Sequence, residues 1–295
     1  MSTRPAGKAG SWYRGDPAGL AAEVDACVRQ AKSRGGPFPA GKPLAAVVPH
    51  AGLAYSGAVA AAAFNWLVQT AGPIGTFVVF GACHRMALRT PAVWARGAWE
   101  TPLGAVEIDA ELADRLLAAG VGEADERPHL DDNAIELQLP FIRRLFPATR
   151  LVPIAMPFLP DAHRFGELAA RTAAASGKTI IALASSDLTH YGAAFGLMPA
   201  GSGDPALAWT RENDRRFLAP LLALDLTAIV PAAERDSSAC GAGAAAAAAG
   251  WAKVLGCRKG WLLTHTNSHE AASSGGRAEH IVGYAAAAFA AGDAD

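Results

Sequence analysis

The sequence predicts one α/β domain over residues 1–295, with a mixed, mostly parallel central sheet flanked by helices. Three observations predict it. Short apolar runs rich in β-branched residues alternate with longer helical patterns, which argues for a sheet covered on both faces. Hydrophobic residues make up 51% of the chain and charged residues 18%, a composition that buries a core instead of staying unfolded. No repeat and no Ser/Gly linker is long enough to divide the 295 residues.

Taken in order, residues 17–32 read as an amphipathic opening helix and 44–49 (LAAVVP) as a short apolar strand. A helix over 55–69 follows a glycine-containing turn, and 76–81 (TFVVFG) is a second buried strand. Turn signals across 92–108 predict an antiparallel excursion. Asp109 is placed as the N-cap of a helix over 109–119. Residues 133–145 carry a helical pattern that Pro140 is expected to kink or break. A strand over 150–156, a helix over 161–176 and a strand over 179–184 (TIIALA) follow. Residues 206–230 read as mostly helical, an Ala-rich helix begins near Cys240, and two last strands fall at 260–265 and 281–289.

Bulk properties exclude several classes. The formal net charge is −1 and no long basic stripe is present, so nucleic acid is not an expected partner. The first residues carry basic groups without an apolar core after them and do not read as a secretory signal. The most apolar long stretch, 238–256, is mostly Ala and Gly and contains Lys253; it lacks the roughly 20 strongly apolar residues of a membrane span. Cys27, Cys83, Cys240 and Cys257 include no C-x-x-C pair, which leaves a cytoplasmic protein with free thiols as the expectation.

In open α/β sheets ligands bind outside the carboxyl ends of the strands. Of eight histidines, five (His50, His84, His190, His265 and His269) lie at or just after an apolar strand. That bias points to a site on one rim. His265 and His269, in a stretch rich in Thr, Asn and Ser, are read as solvent-facing. In SSDLTH, Asp187 and His190 are three apart, and a turn entering a helix can put both on one side. A carboxylate there favours the imidazolium and fixes the tautomer, as a general acid/base requires; a helix cap is the structural alternative. Asp236, Ser237 and Ser238 are N-cap candidates that would put Cys240 in or near the first turn of the helix, where amides and the helix dipole favour thiolate. The alternative is that a small Cys fits a helix packed through Ala and Gly. Cys83 would point away from His84 in an extended chain and is read as structural.

These pieces, in this order, resemble the Memo family, whose bacterial members are also named protein B of the AMMECR1–Memo–radical SAM set. The resemblance spans nearly the whole chain: AGSWYRGDPAGLAAEV (9–24), PHAGLAYSG (49–57), GACHRM (81–86), WETPLGAVEID (99–109), SSDLTHYG (185–192), ACG (239–241) and VGYAAAAF (282–289). It implies a fold like that of class III extradiol dioxygenases. Carried over by position, it implies metal ligands at His50, His84 and Cys240, with Asp187 and His190 beside them as the catalytic pair. Tyr55, His129, Asn133 and Glu136 are expected to line the substrate pocket. The family's Glu-His-Ser motif here reads Asp132-Asn133-Ala134, so an amide that cannot titrate near neutrality replaces its histidine. Leu53 replaces an aromatic usual in the first motif.

Two imidazoles and a carboxylate form the facial site of non-haem Fe(II) oxygenases; a thiolate in the third place is softer and favours Cu(I) or Zn without excluding iron. The expectation is one transition-metal ion, iron or copper before zinc, in a redox protein acting on a small aromatic or other oxidisable molecule. A catalytically degenerate module binding a peptide or protein is the second reading, and a thiol-dependent hydrolase using Cys240 with His190 as base the third. By family association, AMMECR1-like and radical SAM proteins are expected partners.

Overall fold

The computed structural model describes residues 3–34, 38–272 and 278–292. The domain expected over 1–295 therefore includes short segments outside the described residues. In chain order the strands are β1 (Thr3–Arg4), β2 (Lys42–Val48), β3 (Thr76–Gly81), β4 (Ala92–Val93), β5 (Ala98–Trp99), β6 (Val106–Glu107), β7 (Glu123–Ala124), β8 (Arg150–Ala155), β9 (Ile180–Ser185), β10 (His190–Tyr191), β11 (Gly260–Asn267) and β12 (Ile281–Ala291). The helices are α1 (Pro17–Arg34), α2 (Leu53–Thr70), α3 (Ala110–Ala118), α4 (Leu139–Leu145), α5 (His163–Ala174), α6 (Asp204–Leu222), α7 (Leu226–Asp236), α8 (Ala242–Val254) and α9 (Ser268–Ala271).

Among the described residues, nine strands form one sheet in the order β10-β12-β2-β9-β3-β8-β4-β7, with β11 on β12. The four central strands β2, β9, β3 and β8 are parallel, and β12 and β4 flank them antiparallel. The mixed α/β class read from the chain is therefore the class observed. Side chains alternate across the sheet with the two-residue period of a strand. Ala45, Val47, Val78 and Phe80 join one core with α5, α7 and α8. Ala46, Val48, Phe77 and Val79 join the other with α1 and α2. Both faces are thus buried, which is why these strands read as continuous apolar runs.

The Ala-rich helix α8 is buried over its whole length up to Ala252. Small residues let its backbone lie against α5: a Cβ on Gly166 would run into the Ala247 carbonyl, and one on Gly250 into that of His163. Gly166→Ala is therefore expected to destabilise by about 1–3 kcal/mol through overpacking. Urea unfolding checks this, and an unchanged midpoint would contradict the close approach.

Asp109 does cap α3, accepting the Leu112 N–H, and also receives the Thr76 hydroxyl and Lys178 Nζ. Burial alone would raise its carboxyl; those donors outweigh burial and hold it below its ordinary value. Its folded value lies below its unfolded one, so the stability it adds is present above about pH 4 and is lost as acid protonates the folded carboxylate. Asp109→Asn is expected to cost about 1–3 kcal/mol at neutral pH. The gap from the unaltered chain should close in acid, and a gap independent of pH would refute the carboxylate's role.

The 133–145 pattern does break beside Pro140: it splits into a 3-10 turn over Glu136–Gln138 and α4, which begins at Leu139 with Pro140 in its first turn, where no amide is lost. Two other local expectations are corrected. Asp236, Ser237 and Ser238 do not start the Ala-rich helix. Asp236 ends α7, and Ser237 closes it at φ 46°. The N-cap of α8 is Gly241, so Cys240 lies before the helix and not in its first turn. Finally, 92–108 does contain the antiparallel pairs β4/β8 and β5/β6, but β5 also pairs in parallel with the N-terminal β1.

Candidate metal centre

The parallel strands deliver the site. β2 ends at Val48 and places His50 two residues on; β3 ends at Gly81 before His84; β9 ends at Ser185 before Asp187. Cys240 reaches the same rim from the loop before α8. There Gly241 is seated on the end of β9, where a Cβ would lie 2.5 Å from the Ser185 carbonyl oxygen. One donor atom each from His50, His84 and Cys240 lies within 4.8 Å of the others. Cys240 Sγ is 3.2 Å from His50 Nε2, and the two imidazoles meet edge to face at 5.1 Å between centroids.

Hydrogen bonds assign the tautomers. Ser185 Oγ donates to the Ala134 carbonyl at 2.5 Å and receives Gln138 Nε2, leaving an acceptor 3.0 Å from His50 Nδ1. His50 therefore carries its proton on Nδ1 and turns a free Nε2 lone pair to the thiol. His84 Nδ1 lies 3.2 Å from both carboxylate oxygens of Asp132, which also accepts the His84 backbone N–H at 2.7 Å. Nε2 is again the free donor. A carboxylate or hydroxyl behind each imidazole is the arrangement that orients metal-ligating histidines. Asp132, Ser185 and Gln138 were not singled out as site residues in the sequence. A carboxylate inside the Asp132-Asn133-Ala134 stretch was the available signal for the first; nothing in the chain reveals that Ser185 Oγ faces His50.

Electrostatics follow burial. Burial, reinforced by His84, pulls the His50 imidazole down to about 3 and keeps it neutral. The hydrogen bond to Asp132 lifts His84 above its usual value. Burial resists ionisation of Asp132, but His84 and the amides of His84 and Ala134 prevail and hold its carboxyl at about 2. Burial and the Asp187 charge raise the Cys240 thiol. The expected helix-stabilised thiolate is thus corrected: the protein without a metal holds a neutral thiol against a neutral imidazole, and a metal ion would displace the proton.

Asp187 is buried, and its Oδ1 accepts the His50 backbone N–H at 2.7 Å. His190, on β10, has Nδ1 3.0 Å from the Leu188 carbonyl and packs its ring on Phe195. The expectation that Asp187 orients His190 is corrected accordingly: the Leu188 carbonyl sets the tautomer, while the carboxylate acts on the ring through its charge. Burial lowers His190 and raises Asp187, each opposed by the other's charge.

The expected pocket residues separate. Asn133 stays at the site, donating Nδ2 to the His50 carbonyl at 3.0 Å. His129 lies outside the cleft beside Cys240: it is 2% exposed, bonds the Ala92 carbonyl through Nε2, is wedged against Trp94 and Trp99 and borders only a small recess with Asp132 and Ile135. Glu136 lies outside the cleft as well. It is fully buried and receives Arg4, the Lys8 amide and the Tyr13 hydroxyl. Both were carried over with a motif whose buried half serves the fold. Tyr55 is half exposed on the first turn of α2, beside a shallow recess with Leu53, Ala58 and Thr266. His265 lies within β11 and pairs with Asp214 at 2.8 Å; His269 follows β11 on α9. A cleft of ≈ 200 Å³ opens beside Cys240, lined among others by Cys83, Met86, Met156 and Phe158. Among the described residues, no charged side chain lines it.

Fold and site together define a mixed α/β protein with a group of two histidines and one cysteine, gathered at the strand ends, that could hold a metal ion. The chain belongs to the Memo-like protein family, whose model matches residues 4–288. It is 33% identical over 291 residues to a MEMO1 family protein of Methanopyrus kandleri, covering 95% of this chain and 96% of that one. It is 33% identical over 293 residues to one of Methanothermobacter thermautotrophicus, covering 97% and 99%. A crystal structure of an uncharacterized protein from Escherichia coli K12 shares the fold, with a TM-score of 0.54 at 12% identity, over 83% of this chain and 98% of that one. Among the described residues, no helix is long and apolar enough to cross a membrane.

Proposed function

We propose that this chain is a metal-dependent redox protein acting on a small aromatic or otherwise oxidisable molecule, in the manner of a dioxygenase-like oxidoreductase. The observation that carries the reading is the convergence of three donors within 4.8 Å, with both imidazole Nδ1 atoms already engaged. The residues fit a metal ion: His50 Nε2, His84 Nε2 and Cys240 Sγ would hold it. Iron or copper there would supply a redox-active centre, and zinc, the alternative, a Lewis acid. Burial keeps His190 neutral near pH 7, and its Nε2 is free to take a proton from substrate. The uncharged cleft beside Cys240 suits an apolar part of a small molecule. On this reading the protein works in the cytoplasm, with AMMECR1-like and radical SAM proteins as partners by family association.

Elemental analysis of protein purified without an affinity-metal step is the test. About one iron or copper per chain is the expected result. A chain free of both, and unable to bind either tightly, would sink the reading. Asn133 in place of a titratable side chain favours a second reading, a degenerate peptide- or protein-binding module. Unchanged partner binding in a His50→Ala/His84→Ala double variant is its expected signature. A thiol hydrolase has less support: the imidazole against Cys240 is His50, whose Nδ1 is fixed by Ser185, and not His190.

A further inference from the structure

His190 owes its tautomer to the Leu188 carbonyl, which accepts from Nδ1 at 3.0 Å. That carbonyl shares one peptide group with the Thr189 N–H. The group is planar, and its C=O and N–H point to opposite sides. On the far side the Thr189 N–H donates to Asp214 Oδ1 at 3.0 Å. Asp214 thus stands behind His190 with a single peptide group between them. It is fully buried on α6, and its other oxygen, Oδ2, accepts from His265 Nε2 at 2.8 Å. The sheet leaves room for this carboxylate: a Cβ on Gly283 of β12 would lie 2.2 Å from Oδ2. β12 also holds the segment from both ends. The Leu188 N–H donates to the Gly283 carbonyl at 2.8 Å, and the Gly283 N–H donates to the Thr189 carbonyl at 2.9 Å. Asp187, by contrast, gives its Oδ1 to the His50 amide.

We propose that Asp214 is a positioning residue for His190 that acts through the Leu188–Thr189 peptide group: His265, Asp214, that peptide and His190 form one hydrogen-bonded chain, which keeps the His190 proton on Nδ1 and leaves Nε2 free. Its use in catalysis rests on the reading above that His190 takes a proton from substrate. Hydrogen bonds in series polarise one another. A carboxylate is a strong acceptor, so its pull on the Thr189 N–H moves electron density onto the Leu188 oxygen. That oxygen then holds the His190 proton more firmly. Loss of Asp214 weakens the hold twice: the peptide group is freer to turn, and its carbonyl is a poorer acceptor. The neighbouring Asn213 provides a contrast. Its Nδ2 donates to Thr189 Oγ1 at 3.1 Å and to the Asp236 carbonyl at 2.9 Å. It therefore anchors the side chain of the same threonine without touching the peptide N–H.

The test is proton–nitrogen NMR of the histidine rings at neutral pH, where burial keeps His190 uncharged. It uses the nitrogen-15-labelled full-length chain, freed of paramagnetic metal by chelation, and His190→Gln identifies the His190 signals. The expected wild-type pattern is a protonated Nδ1 and a bare Nε2. Asp214→Ala should shift both nitrogens towards a mixture of the two tautomers. Asp214→Asn is isosteric, keeps an oxygen for the Thr189 N–H, and serves if the alanine variant does not fold. It should retain the tautomer but move the Nδ1 proton upfield as its hydrogen bond weakens. Asn213→Ala should leave the His190 signals in place. Unchanged His190 signals in whichever Asp214 variant folds, or a bare Nδ1 in the wild type, would overturn the proposal. So would an equal shift in Asn213→Ala, which would mark general loosening of the segment. The measurement needs no metal: if the signals shift as expected and elemental analysis finds neither iron nor copper, Asp214 keeps its hold on His190 and the redox reading fails.

Discussion

Arg4→Met is expected to destabilise the protein by about 3–5 kcal/mol, because it strips the partner from a fully buried carboxylate. Arg4 and Glu136 are exposed by only 1% and 0% at the side chain and meet at 2.6 Å. The guanidinium also donates Nε to the His129 carbonyl and Nη2 to the Asp132 carbonyl, and its plane lies 4.3 Å over the Trp99 ring. One planar group thus satisfies the loop that carries Asp132. Lysine has a single charged nitrogen and cannot copy that fork, so Arg4→Lys should recover only a fraction of the loss. Pairing Arg4→Met with Glu136→Gln should recover more, since no buried charge is then stranded. Chemical denaturation of the four proteins gives the result, and a loss under 1 kcal/mol for Arg4→Met would show that the pair is dispensable.

The second large effect is on metal. Cys240→Ala and His84→Ala should each abolish stoichiometric binding of iron or copper while leaving the fold intact, since neither side chain belongs to the two large cores. Asp132→Asn should be milder, lowering affinity about 10–100-fold, the usual cost of losing the group behind a ligating histidine. Ser185→Ala should fall in the same range, because it frees the His50 tautomer that Ser185 now assigns. Titration of apoprotein with Cu(I) or Fe(II) separates these cases. Wild-type affinity in Cys240→Ala would remove the thiolate from the group, and wild-type affinity in Asp132→Asn would reduce that carboxylate to a loop staple.

The sheet and the histidines on its rim were legible because they rest on local patterns. Apolar runs of strand length, such as TFVVFG, keep their character wherever the strand packs, and His50 and His84 are placed by the strand ends alone. The behaviour of Cys240 was not legible. The Asp-Ser-Ser run before it has the chemistry of a helix start, yet it closes α7, with Ser237 in a left-handed turn after Asp236. Glu136 and His129 lie outside the cleft beside Cys240 for a related reason. Both are polar and sit in a motif near the site, but their partners Arg4 and Ala92 lie 132 and 37 residues away in the chain.

By itself the sequence determined the mixed α/β class, the family, and the strand ends that carry His50 and His84. Those follow from periodicity and motif order, which need no knowledge of distant contacts. Only the tertiary structure decided which nitrogen of each imidazole is free, that Asp132 stands behind His84, and that Cys240 meets His50 as a neutral thiol. The physical reason is that these are properties of burial and of hydrogen bonds between segments remote in the chain. Cys240 and His50 are separated by 190 residues, and their contact exists only once β2, β9 and the loop before α8 are assembled on one rim.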